Sequence, residues 1–163
     1  MITNESARTI MYEEGRRQAL DLQSRVPELT GTEIIAEESK IPAFDPTKDY
    51  SNWEKGWPVT DEGQVWPLLI PHNAAAYPGT RPATNRACWS LAHTKDPAKA
   101  KPWVASYGIS GLYMADECCT YPNAEGIDHV WRNLYENNEY PPLTLNAEDR
   151  WEDLGAAAEV LER

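Results

Sequence analysis

Thirteen prolines, spread from Pro27 to Pro142, set the first limit on how this chain can fold. Each fixes φ and removes a backbone donor, so neither a long helix nor a central strand runs through it undisturbed. A long helix is therefore confined to the residues before Pro27. The apolar residues sharpen this limit: seven Trp and eight Tyr stand against one Phe. A few large aromatics carry most of such a core, as in small β modules with long loops. The expected fold class is mainly β with an N-terminal α segment, the β part being two small three-stranded β modules in tandem.

The stretch from about Asn4 to Val26 carries the one clear helical pattern. Ile10, Met11, Leu20, Leu22 and Val26 read as an apolar stripe, with Glu13, Glu14, Arg16 and Arg17 on the remaining faces. Pro27 ends it. Thr30-Gly31-Thr32-Glu33 has the spacing of a capped start for a second short helix to about Ser39. These apolar positions are too few for a solitary helix pair. The segment is expected to pack on the β modules, on another copy of the chain or on a different protein. Self-association is the preferred reading, with a trimer as one form.

Charge narrows the partners. With 26 acidic and 15 basic side chains the net charge is −11, a surface that repels phosphate backbones and anionic membranes. No apolar run approaches the roughly 20 residues that span a bilayer. Neither nucleic acid nor membrane is an expected partner. MITNESARTI lacks the charged region and apolar core of a signal peptide. Cys88, Cys118 and Cys119 are an odd count without framework spacing, and read as reduced, mostly buried thiols from cytoplasmic synthesis.

From Ile41 onward short aromatic runs alternate with Pro, Gly, Asn and Asp. Two stretches are similar to one another. Val65-Trp66-Pro67-Leu68-Leu69 is echoed by Val130-Trp131-Arg132-Asn133-Leu134, and His72-Asn73 by Asn137-Asn138. Arg81-Pro82 and Pro141-Pro142 mark the loops that follow. Trp89-Ser90-Leu91 and Trp151-Glu152-Asp153-Leu154 close the copies, and Tyr50 and Tyr113 open them. The match is short, so duplication and chance both remain readings. The partition is 1–40 as a helical segment, 41–104 as the first module and 105–163 as the second.

These residues resemble a known family. Many phage tail and structural proteins carry a helical N-terminal segment followed by tandem modules similar to carbohydrate-binding modules of families 5 and 12, the chitin-binding type. That family has an aromatic, Gly-Asp-x-Val, Asn-Gly-x-x-Tyr, a loop with Pro and a closing Trp. Gly56-Trp57-Pro58-Val59, Gly63-Gln64-Val65-Trp66 and Trp89 stand in those places in the first copy. Ala115-Asp116-Glu117-Cys118, Val130-Trp131 and Trp151 stand there in the second. The departures are Trp57 for Asp, Ala115 for Gly, and about ten extra residues before Trp131. The resemblance implies a twisted three-stranded unit per copy and carries the fold further than the sugar-binding function.

Sugar recognition by such modules uses exposed aromatic faces, with nearby polar groups on the hydroxyls. Trp53, Trp57, Trp103, Tyr107, Tyr135 and Tyr140 are the saccharide-binding candidates, set against a core or protein-contact role for the same rings. Trp66, Trp89, Trp131 and Trp151, at repeat positions, read as structural. No metal or cofactor is expected, because His72, His93 and His129 lie far apart and Cys118-Cys119 is adjacent. No catalytic residue is expected either. Neighbouring acids such as Asp61-Glu62, Asp116-Glu117 and Glu148-Asp149 read as solvated turns rather than a glycosidase pair.

The expectation is thus a non-enzymatic phage virion protein, a head or tail fibre or decoration subunit, located in the virion after synthesis in host cytoplasm. Its partners would be itself, capsid or tail proteins, and host cell-surface polysaccharide through the displayed modules. The alternative is a soluble saccharide-binding module or adhesin outside any virion. An assembly chaperone is a weaker third.

Overall fold

The computed structural model describes residues 3–162. Helix α1 runs Asn4–Arg25, with Thr3 capping it by accepting a hydrogen bond from the Ser6 N–H. Pro27 falls in a short 3-10 turn, after which Thr30 and Glu33 form a reciprocal capping box at the start of α2, Gly31–Ala36. Arg25 then ties α1 to the end of α2 through Glu37, at 2.7 and 2.8 Å. Hydrogen bonds from Arg25 and then Lys40 hold the Glu37 carboxyl down at about 2.

The apolar stripe expected along α1 is not a buried stripe. Leu22 and Val26 enter the body, whereas Ile10, Met11 and Leu20 are exposed. Along α1 only Leu22 and Gln23 are buried, both near the C-terminal end of the helix, where it packs directly on the body. That end shares a core cluster with Ile34, Ile35 and Ile41, and with Val65 and Ala92 of the first β region. Intramolecular packing is therefore what holds this part of the segment.

Strands β1, Pro58–Asp61, and β2, Gln64–Pro67, form a two-stranded sheet. Glu62 and Gly63 between them both have positive φ, the conformation of a two-residue turn whose twist suits a hairpin. The second sheet has four strands in the order β3, Lys101–Pro102; β4, Cys118–Pro122; β5, Asp128–Asn133; β6, Trp151–Ala156. β3 is parallel to β4 and the other pairs are antiparallel. The four-residue helix α3, Ala157–Val160, follows directly.

Helix makes up roughly 28% of the residues and strand roughly 23%, so the fold is mixed α/β rather than mainly β. Nor do the described residues form two three-stranded units. In the first region the third strand shrinks to a single bridge, Leu68↔Trp89, and in the second a short fourth strand is added. Pro67 and Pro71 flank the run where the first sheet would widen, and neither supplies a ladder donor.

The two β regions nevertheless repeat one set of bonds. Val59 pairs with Trp66 as Cys119 pairs with Trp131. The Trp66 indole donates to Asp61 O at 3.0 Å and the Trp131 indole to Tyr121 O at 2.9 Å. Trp89 donates to Thr80 O and Trp151 to Tyr140 O. Tyr50 meets Trp89 edge-on at 5.4 Å, and Tyr113 meets Trp151 at 5.2 Å. Asn73 and Asn138 each accept from the N–H two residues ahead.

This frame shifts the second copy's register by one residue. Gly56 N–H donates to Leu68 O while Leu68 N–H donates to Trp57 O. The matching pair is Asp116 to Asn133 and Asn133 to Glu117. Asp116, not Ala115, thus stands where Gly56 stands, and both have positive φ. Six residues separate Val59 from Trp66 and eleven separate Cys119 from Trp131, a difference of five rather than ten. The extra length extends the β4–β5 hairpin, whose turn is closed by Asn123 accepting from the N–H groups of Glu125 and Ile127.

Candidate functional site

Of the six candidate aromatics, the structure gathers two pairs. Trp53 and Trp57, four residues apart in the loop before β1, meet at 5.7 Å with ring planes 65° apart. The edge contact of Trp53 with buried Tyr50, at 4.7 Å, fixes the pair to the first core. Tyr135 and Tyr140 flank Arg150 instead, whose guanidinium carbon lies 4.8 and 5.3 Å from their ring centres. The Tyr135 hydroxyl donates to Asp149 at 2.8 Å. Trp103 packs at the rim of the second core, edge-on to Tyr121, and Tyr107 projects alone from a tight loop closed by Ser110. Trp66, Trp89, Trp131 and Trp151 are all buried.

The Trp53–Trp57 pair lines a groove of about 570 Å³ between α1 and the first β region. Its far wall is one face of α1, presenting Tyr12, Arg16 and Leu20, and Lys48 stands at its edge. The Lys48 ammonium is 4.9 Å from the centre of the Trp53 ring, held by the negative face of the indole. Arg16 and Lys48 have no ion-pair partner among the described residues. Asp45 also lines the groove; its carboxylate accepts from the hydroxyl and N–H of Thr47, which together with the charge of Lys48 hold its pKa below the ordinary value. The Trp57 indole nitrogen is buried without a partner.

No family model, curated protein or solved structure matches this chain. The groove's meaning therefore rests on its own chemistry. Two indoles set at an angle offer flat apolar faces, and two unpaired cations offer charge-assisted hydrogen bonds. Such a groove can hold a ligand with both a flat C–H surface and acceptors.

The nucleophile-like and metal-like groups are arranged differently. Burial pushes the Cys118 thiol up to about 11 and the Cys119 thiol well above its usual range, away from thiolate reactivity. His129 Nδ1 is 2.7 Å from Asp153, but its Nε2 faces the Asn123 amide at 3.1 Å and abstracts nothing there. Among the described residues no three His, Cys, Asp or Glu side chains come together to hold a metal. Among them too, no helix is long and apolar enough to cross a membrane.

Sequence reasoning placed Trp53 and Trp57 as candidates and missed Tyr12, Arg16 and Lys48. Nothing local marks those three: Tyr12 and Arg16 join the indoles through contacts distant in sequence, and Lys48, five residues before Trp53, carries no motif of its own. The one available signal was the helical spacing of Tyr12, Arg16, Ala19 and Gln23, which puts them on a common face.

Proposed function

We propose that this chain is a phage virion structural protein of the head- or tail-fibre or decoration type, a binder rather than an enzyme. Residues 1–40 would attach or oligomerise it, and 41–104 and 105–163 would be displayed modules for host-surface adhesion. The observation that carries this reading is the exposed arm. A 22-residue helix buries two side chains and leaves Ile10, Met11 and Tyr12 to solvent. A helix of this kind gains little from its own body, and its natural use is contact with a neighbour.

Light scattering tests it on the full chain, because Val65 and Ala92 share a core with Leu22, Ile34 and Ile35, and a cut at Ile41 would open that core. The expected result is an oligomer that dissociates in Ile10→Glu, a change on the helix side opposite the groove. A chain that stays monomeric at every concentration, with and without that change, would remove self-assembly from the reading.

The second reading, a saccharide-binding module or adhesin outside a virion, is favoured by the Trp53–Trp57 groove. The two are separable, since one concerns the arm and the other the groove.

A further inference from the structure

The groove's electrical character is unusual for this molecule. The chain carries a net charge of −11, yet an arginine from α1 and a lysine from the loop before β1 line one groove, neither of them in an ion pair among the described residues. The acid on the wall, Asp45, accepts hydrogen bonds from Thr47 and also feels the charge of Lys48, which leaves Arg16 as the less compensated cation. Trp53, Trp57 and Tyr12 line the same groove, with the Lys48 ammonium 4.9 Å from the centre of the Trp53 ring. A neutral sugar would use the rings and bring no charge to meet either cation. A nucleic acid would use rings and cations, but its closely spaced phosphates meet the acidic surface beyond the groove. A saccharide with a carboxylate on only some of its rings satisfies all the features at once. Its C–H face lies on indole, its carboxylate pairs with Arg16 or Lys48, and its neutral rings pass the acidic surroundings.

We infer that the groove between α1 and the first β region is a binding site for an acidic saccharide, a uronate-containing segment held by Trp53, Trp57, Lys48 and Arg16. This deepens the adhesion half of the function proposed above and rests on that half alone. A volume of about 570 Å³ is in the range of small-ligand pockets and suits a short segment of the polymer. Helix α1 is then both the outer wall of the site and the arm of the subunit.

The test is calorimetric titration of the full chain with a hyaluronan hexasaccharide, which has a carboxylate on every second ring. Its carboxyl-reduced neutral form, oligoglutamate and a thymidine oligonucleotide are titrated beside it. Saturable hyaluronan binding is expected, weakened about tenfold or more by carboxyl reduction and weakened by added salt. Arg16→Gln and Lys48→Gln should each weaken it by about threefold to tenfold. Lys55→Gln, a cation of the same loop outside the groove, should leave it unchanged, and Trp53→Ala should abolish it. Arg16 and Lys48 are exposed and unpaired, so their variants keep the fold and read the site directly.

Equal binding of the neutral sugar overturns the inference, as does indifference to both cation changes. Tighter binding of oligoglutamate or the oligonucleotide overturns it in favour of a peptide or nucleic-acid site. No binding to any of the four overturns it outright. Scattering on the same samples separates the two proposals. A monomer that binds hyaluronan loses the assembly reading and keeps this one, and an oligomer that binds nothing does the reverse.

Discussion

Trp66 and Trp131 occupy one position in two copies of the same hydrogen-bond frame, yet the hairpins that carry them are covered differently. In both, the Trp face lies against a Tyr–Trp core, and the opposite face, at Val65 or Val130, lies against helix. Behind Val65 are the end of α1 and Ile34 and Ile35 of α2, supplied from far along the chain. Behind Val130 are Ala157, Val160 and Leu161, the residues that follow β6. α1 overshoots its hairpin, being about 33 Å long at 1.5 Å per residue. The overshoot creates the Trp53–Trp57 groove, whereas the hollow of about 520 Å³ beside Leu161 and Glu162, at the end of α3, is lined by no aromatic ring. The frame sets the fold in both halves, and the cover decides which half has a site.

The sharpest way to break this comparison is to empty the same place in each half. Trp89 and Trp151 are both buried, donate their indole hydrogens to loop carbonyls, and meet a buried Tyr edge-on. Trp89→Ala and Trp151→Ala should each cost about 3–5 kcal/mol, read from urea unfolding by circular dichroism. The halves are joined by Arg86 donating to Ala105 O and Gln64 donating to Pro102 O. Each variant should therefore unfold in one transition. Two separated transitions in Trp151→Ala, with the first half at wild-type stability, would show that the halves are independent.

His93 sharpens the comparison, because it sits where the halves meet. Its ring stacks on Tyr113 at 3.7 Å, and its Nε2–H donates to Gly111 O at 2.8 Å. Burial first, and the charge of Arg86 second, hold its pKa down to about 4 against the opposing pull of the Gly111 carbonyl. The folded value lies below the unfolded value near 6.5, so the unfolded chain takes up the proton first as pH falls. Stability is complete above about 6.5 and is lost as pH falls towards 4, by roughly 3 kcal/mol. His93→Phe keeps a ring on Tyr113 and removes the titration. Between pH 7 and pH 4 the wild type should lose that amount of unfolding free energy relative to His93→Phe if the seam titrates as placed. A constant difference would mean that His93 does not sense the fold.

Local chemistry was legible in the sequence. Pro27 and the Thr30–Glu33 box delimit the helices as expected, and the echo of Trp66 and Trp89 in Trp131 and Trp151 marks pairs with the same bonding. What escaped depends on distant contacts. Helical spacing at Ile10, Met11 and Leu20 says which residues share a side, not whether anything lies against it. Strand content was overestimated because short aromatic runs look alike whether a full ladder or one bridge holds them. The groove shows the same limit, with Lys48 and the two indoles close in sequence and Arg16 and Tyr12 on a helix only the fold brings near.

The one-residue error in register has a physical cause that a smaller experiment can read. Both Gly56 and Asp116 have positive φ, 99° and 73°, and a sequence comparison seeking glycine passes over aspartate. Aspartate is among the few residues that visit the left-handed region readily, by bonding locally with its short side chain. At 99° Gly56 lies further from that basin. A Cβ there would meet Val26 Cγ1 at 3.5 Å, an ordinary contact, so backbone strain rather than crowding should govern its replacement. Gly56→Ala should cost about 1–2 kcal/mol. Asp116→Gly relieves φ strain but loosens the unfolded chain, and these opposed terms should leave it within about 0.5 kcal/mol of wild type. Paired urea midpoints decide it: a loss at Gly56 beside near-neutrality at Asp116 fits one turn filled in two ways. A loss of 1 kcal/mol or more (about the cost of a cap) in Asp116→Gly would give that carboxylate a bonding role in the second turn that glycine cannot replace.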